Sequence, residues 1–133
     1  MAKEKWDYSG VEKEPYEGVR FAEFEEIGFL PDQEQIKIVR IIEAMEMTRE
    51  IAFVYTERLR IVAPFAVGFS SEGNPLLRGY QMEGESFSRK GCGWRVFQVV
   101  KMEEVELHWV YFNPDEFDFV RDYPWIYRVI KMV

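Results

Sequence analysis

The sequence predicts a mainly β (α+β) domain in which one helix precedes a small closed barrel of about five short strands. Three observations predict it. Apolar residues recur at helical spacing after Asp32, the period changes to two near Arg49, and turn-forming residues then divide the chain up to Phe112 at short intervals. A length of 133 residues fits one domain with one core. Three parts follow: an arm over 1–31, a helix-plus-barrel unit over 32–112 and an aromatic C-terminal segment over 113–133.

The arm is irregular, because Ser9-Gly10, Pro15 and Gly18 interrupt it. It still carries Trp6, Tyr8, Tyr16, Phe21, Phe24, Phe29 and Leu30, too many apolar groups for a solvated tail. It is expected to lie on its own barrel or on another chain, with a short helical turn over 21–26. Asp32 suits a helix N-cap and Glu34 the first turn. Ile38, Ile41, Ile42 and Met45 then share a face, which predicts a helix over 36–48 with Glu43 and Met47 toward solvent.

Five strands are expected after the helix: 50–56, 59–69, 76–82, 94–100 and 105–112. Glu57-Arg58 and Gly73-Asn74 are the expected tight turns, Pro64 marks an edge or bulge, and 83–93 reads as a loop. Asn113-Pro114-Asp115 breaks the pattern. The last segment holds Phe117, Phe119, Tyr123, Trp125, Ile126, Tyr127, Val129 and Ile130. A barrel this small cannot bury Trp6, Tyr8, Phe117, Tyr123 and Trp125 if both ends float free. The ends are therefore expected to pack on the barrel or cross to a second subunit, as in a homodimer.

Composition narrows the function classes. The formal charge of −7 argues against general duplex DNA binding. The charge is uneven: residues 50–101 carry a net +2 and the flanks −9, so only the middle offers an anion a positive face. A single cysteine, Cys92, excludes an internal disulfide and suits a reducing compartment. The first residues lack the apolar core of a signal peptide, and no apolar run approaches a bilayer span, so a cytoplasmic chain without a membrane segment is expected.

The usual catalytic constellations are missing. One His (His108) and one Cys (Cys92) give no close set of metal ligands, and a structural or exposed histidine accounts for His108. Cys92 lies in Gly91-Cys92-Gly93 near Lys90 and Arg95; a reactive thiol needs a base or positive neighbours, and a plain loop cysteine is the simpler reading. Glu103, Glu104 and Glu106 read as a solvated acidic face. There is no phosphate-cradling glycine motif and no nucleophile elbow. The expectation is no enzyme, no cofactor and no metal.

Polar groups gather instead around the third and fourth strands. Arg78, Tyr80 and Gln81 lie on the third, Ser86 and Ser88 on the loop, and Trp94 and Arg95 on the fourth, with Arg60 on the strand before. Guanidiniums fork onto phosphate, hydroxyls add hydrogen bonds and a ring can stack a base. The bland alternative is that Arg60, Arg78 and Arg95 pair with the many glutamates. Alternation puts Arg78 and Tyr80 on one strand face and Gln81 on the other.

These blocks also carry a resemblance. Ile51-Ala52-Phe53-Val54-Tyr55 followed by Leu59-Arg60-Ile61-Val62-Ala63-Pro64 resembles the opening of a WYL domain. The run from Gly73 through Leu76-Leu77-Arg78-Gly79-Tyr80-Gln81, then Ser86-Phe87-Ser88 and Gly93-Trp94-Arg95-Val96-Phe97, is similar to a short WYL-like subgroup. The turn over 101–105 fits the same pattern, and the likeness covers about residues 35–112. It implies an Sm-like five-stranded barrel behind a helix. It also implies a sensor that binds nucleic acid or a nucleotide-type ligand through basic residues, here Arg60, Tyr80, Gln81 and Arg95. Two departures stand out. Pro75-Leu76-Leu77 occupies the place of the name-giving Trp-Tyr-Leu, and no helix-turn-helix pattern precedes the barrel. The expected function is a non-enzymatic regulatory module for single-stranded nucleic acid or a nucleotide-type ligand. The alternative is a structural or interaction module that self-associates or modulates a partner complex.

Overall fold

The computed structural model describes residues 24–84, 91–121 and 124–133. Trp6, Tyr8, Ser86, Ser88 and Tyr123, and the arm up to residue 23, lie outside those residues. The described chain runs α1 (Phe24–Gly28), α2 (Asp32–Met47), β1 (Arg49–Tyr55), β2 (Arg58–Phe69), β3 (Pro75–Gly84), β4 (Gly93–Gln98), β5 (Glu103–Tyr111) and β6 (Arg128–Met132). Short 3₁₀ turns occupy Val99–Lys101 and Pro114–Glu116.

The principal helix starts one step away from the expected cap. Pro31, extended at ψ 152°, is the N-cap, and Asp32 is already helical. Proline cannot offer a capping side chain, so Asp32 and Glu34 complement the helix N-terminus by charge in the first turn. Thr48 ends the helix in the left-handed conformation at φ 49°. Ile38, Ile41, Ala44 and Met45 are buried, while Ile36, Val39, Glu43 and Met47 face solvent.

Six antiparallel strands form one open sheet in the order β4-β3-β2-β1-β5, with β6 paired to β2 off that path. The mainly β class holds. Among the described residues no pairing joins β4 to β5, so closure of the expected barrel is not among the strand pairings. The first hairpin turns at Thr56-Glu57, one residue earlier than expected. Tyr55 pairs with Arg58, and the turn residues sit at φ 50° and 65°. Two left-handed residues match the right-handed twist of the flanking strands, which is why a two-residue hairpin selects them. The expected fourth strand stops at Gln98, and Val99–Lys101 is a 3₁₀ turn.

β2 organises the domain. One edge carries β3 from Arg60 to Phe69, and the other serves two neighbours in succession. β1 pairs with residues 58–62 and β6 with residues 66–69. Pro64 falls where this edge changes partner, beside a register shift between Pro64 and Ala66. Proline lacks the N–H a continuous ladder needs, so a bulge at this point is its natural place. Gly68 is required for the β6 contact, because a Cβ there would lie 2.2 Å from the Arg128 carbonyl oxygen.

Both faces of β2 are covered, and every residue from Arg60 to Phe69 is buried. On one face Ile38, Ile41 and Met45 of α2 pack with Ile51, Phe53, Val62, Leu77 and Phe97. On the other, Ala63 and Phe65 meet Phe112, Trp94, Phe117 and Phe119. Each fully buried large apolar side chain contributes about 1.5–3 kcal/mol. The C-terminal segment is thus a structural layer: Phe117 and Phe119 cap the second face, and β6 completes an edge of β2. Trp125 stays exposed.

Candidate functional site

Register decides which polar side chains meet. Across β3 and β4, Gly79 faces Arg95 and Gln81 faces Gly93, whereas Arg78 faces Val96 and Tyr80 faces Trp94. Directly opposed residues share a face, and neighbours along a strand alternate. The sequence-predicted residues therefore divide. Gln81 and Arg95 lie on the helix side, and so does Arg60, paired with Phe53. Arg78, Tyr80 and Trp94 lie on the opposite side.

On the helix side the groups form one network. The Arg60 Nη1 donates to Gln81 Oε1 at 3.2 Å. Its Nη2 donates to the Tyr55 carbonyl at 3.0 Å and to Thr56 Oγ1 at 2.7 Å. Gln81 Nε2 donates to the Gly91 carbonyl at 3.1 Å, which also accepts from Arg95 Nη2 at 3.0 Å. The Arg60 guanidinium lies over the rings of Tyr55 and Phe97, at 5.4 and 5.8 Å. Gly93 makes room for this arrangement: at φ 153° it carries no side chain, and a Cβ would lie 2.6 Å from Arg95 Nη1.

The electrostatics of this cluster are unusual. Arg60 is 3% exposed, and Gln81 is fully buried. Among the described residues Arg60 has no carboxylate at ion-pair distance, and its Nε has no hydrogen-bond partner. Burial holds its guanidinium below the ordinary arginine value; Tyr55 opposes this, and Arg95 and Arg58 push the same way. Arginine stays protonated in proteins, so burial here desolvates a permanent positive charge. Buried charges are ordinarily paired.

The opposite face is filled. Trp94 packs against Phe65 with ring centroids 5.0 Å apart and against Tyr80 at 5.3 Å. Phe117 closes over Tyr80 at 5.1 Å. Arg78 lies over the Trp94 ring at 4.8 Å. Both expected stacking rings thus serve the second core. Ser86 and Ser88 fall outside the described residues.

Three contributors escaped the sequence reading: Tyr55, Arg58 and Phe97. The signal was available for Arg58, which shares the face of Arg60 by simple alternation along β2. Tyr55 and Phe97 read as core aromatics and gain a polar role only through Arg60. Among the described residues no group of three or more His, Cys, Asp or Glu could hold a metal ion. Cys92 is exposed, with its thiol donating to the Met82 carbonyl at 3.1 Å. No helix among the described residues is long and apolar enough to cross a membrane.

No protein-family model, curated protein or solved structure matches this chain.

Proposed function

We propose that this protein is a non-enzymatic ligand-sensing module that takes a compact anion, the phosphate end of a nucleotide-type ligand, at Arg60, Gln81 and Arg95. One observation carries the reading: a guanidinium that is buried beside two further arginines and has no carboxylate partner among the described residues. A phosphate there supplies the missing negative charge through charge-assisted hydrogen bonds, each about 1.5–3 kcal/mol before desolvation. Three of the four positions the WYL resemblance singled out, Arg60, Gln81 and Arg95, belong to this one network. The finer fold reading, an Sm-like barrel behind a helix, draws support from the run of five antiparallel strands after α2.

The geometry favours a small ligand over a long single strand. Tyr80 and Trp94 are packed under Phe65 and Phe117, so neither offers an open platform for successive bases. The test is thermal stability and calorimetric binding with inorganic phosphate, nucleoside mono- and diphosphates, and short single-stranded oligonucleotides. Phosphate-bearing small molecules should stabilise the wild type, with affinity falling as salt rises. Arg60→Met should abolish that response while its circular dichroism stays native. An unchanged response in folded Arg60→Met, or no response of the wild type to any phosphate, refutes the assignment.

A further inference from the structure

Strand register sets one row of side chains apart on the face opposite α2. Glu106 of β5 pairs with Ala52 of β1, Ala52 with Ile61 of β2, and Ile61 with Glu83 of β3. Directly paired residues share a face, so the row ends in a carboxylate on each side and is apolar between them. Three steps of strand spacing put its two end positions about 14 Å apart. Both end glutamates are exposed, and the half-buried His108 follows Glu106 by two residues on the same side. Glu50 precedes Ala52 by two residues and shares this face. It differs from the other carboxylates in being 5% exposed. Among the described residues its carboxylate has neither a hydrogen bond nor an ion pair. The charges it meets come from two strands: His108 of β5 favours its ionised form, and Glu83 of β3 opposes it. β2 brings only Ile61 and Ala63 to this side, and β3 adds the neutral Tyr80.

We infer that Glu50, Glu83 and Glu106 hold a linear organic polycation of the polyamine kind, with its charged nitrogens along the row and its methylene segments over Ala52 and Ile61. Buried charges are ordinarily paired, and the partner that Glu50 lacks is a cation. Spacing selects the class. Among the described residues no group of three or more His, Cys, Asp or Glu could hold a metal ion, so one small ion does not bridge these carboxylates. A triamine carries its charges at intervals along a chain of comparable length. Its ammonium groups donate charge-assisted hydrogen bonds to carboxylates, and the apolar middle of the row matches its methylenes. The net charge of −7 draws cations to the protein from a distance. Arg60 lies on the other face of the sheet, so this site stands independently of the anion site.

The probe is spermidine, titrated calorimetrically into the full chain at neutral pH. His108 is the single histidine of the chain, so its ring-proton signals report on this site without ambiguity. Spermidine should bind saturably, shift the His108 signals and weaken as salt rises. The diamine putrescine, too short to reach both ends of the row, should bind about tenfold or more weaker. Glu50→Gln keeps the side-chain volume and should weaken spermidine by about the same factor. Glu83→Gln and Glu106→Gln change exposed positions, so each should melt as wild type does and weaken spermidine to a smaller degree. Glu43→Gln removes an exposed carboxylate from the outer side of α2 and should leave the affinity unchanged. Four results would overturn the inference. These are no saturable binding, unmoved His108 signals, equal losses in Glu43→Gln and Glu50→Gln, and displacement of spermidine by an equal concentration of magnesium ion. The last two would reduce the effect to general attraction of cations by an acidic protein.

Discussion

Replacing Gln81 with leucine tests whether the buried Arg60 network behaves as the structure implies. The two side chains are close in volume, so the change removes polar atoms without opening a large cavity. Gln81 Oε1 accepts from Arg60 at 3.2 Å, and its amide nitrogen donates to the Gly91 carbonyl at 3.1 Å. Gly91 retains the Arg95 bond, so that acceptor stays satisfied. Arg60 loses an acceptor at a site that is 3% exposed, leaving a charged N–H without a partner. That cost is about 1–3 kcal/mol. For a chain of this size each kcal/mol moves the melting temperature by about 3–5 °C. Gln81→Leu should therefore melt about 3–15 °C below wild type. The loss should shrink in Arg60→Met, where no guanidinium needs the acceptor, with a coupling of about 0.5–3 kcal/mol in a double-mutant cycle. Excess inorganic phosphate should recover part of it, since an anion replaces the missing acceptor; ligand at a hundred times its Kd supplies about 2.7 kcal/mol. Calorimetry and urea denaturation of the four proteins, with and without phosphate, measure every quantity. If Gln81→Leu costs the same in the Arg60→Met background, Gln81 does not act through Arg60, and the reasoning about an uncompensated charge is refuted.

Three further outcomes follow from single positions. Glu50 is 5% exposed; burial raises its carboxyl above the ordinary glutamate value, His108 opposes the rise and Glu83 adds to it. A raised folded-state value means its contribution is fully present below the unfolded value of about 4.3 and is lost as pH rises through the folded one. Urea midpoints against pH should fall across that window in wild type and stay flat there in Glu50→Gln. Gly68→Ala places a Cβ 2.2 Å from the Arg128 carbonyl and 2.6 Å from the Ile126 methyl, and overpacking of this kind costs about 1–3 kcal/mol. Amide exchange should speed up in β6 more than in β1. Glu57 sits at φ 65°, so Glu57→Gly should stabilise by about 0.5–1 kcal/mol in urea denaturation, because only glycine takes that conformation without a Cβ penalty.

The local elements were legible because local physics writes them. The helical spacing of Ile38, Ile41 and Met45 and the alternation after Arg49 each need only a few neighbouring residues to be read. Boundaries moved where a neighbour far along the chain intervened. Thr56 carries a β-branched side chain and argues against φ 50°, yet Arg60 donates to its hydroxyl at 2.7 Å and ties it down. β6 was hidden for a similar reason. Its five residues read as an aromatic and aliphatic tail, and only the free stretch of the β2 edge beyond Val62 makes them a strand.

The site was legible by composition and hidden in its geometry. Arg60, Arg78, Gln81, Trp94 and Arg95 do cluster on adjacent strands, but one residue of spacing separates the faces. Alternation alone could assign Gln81 and Arg78 to different sides; it could not tell which side stays available to a ligand. That depends on Phe117 and Phe119, which come from the far end of the chain and cover Trp94 and Phe65. With those rings in place, Trp94 and Tyr80 belong to a hydrophobic layer. On the other face, α2 covers the sheet as far as Phe97 and Phe53, and the arginines stand beyond that cluster with Arg60 uncompensated. A paired Arg78→Ala and Arg95→Ala substitution would therefore disturb two separate environments. The informative comparison is Arg95→Ala against Arg78→Ala, each alone. If the anion site is where the buried charge places it, only Arg95→Ala should reduce phosphate binding. Arg78→Ala should instead lower stability by about 0.5–2 kcal/mol through its lost contact with Trp94.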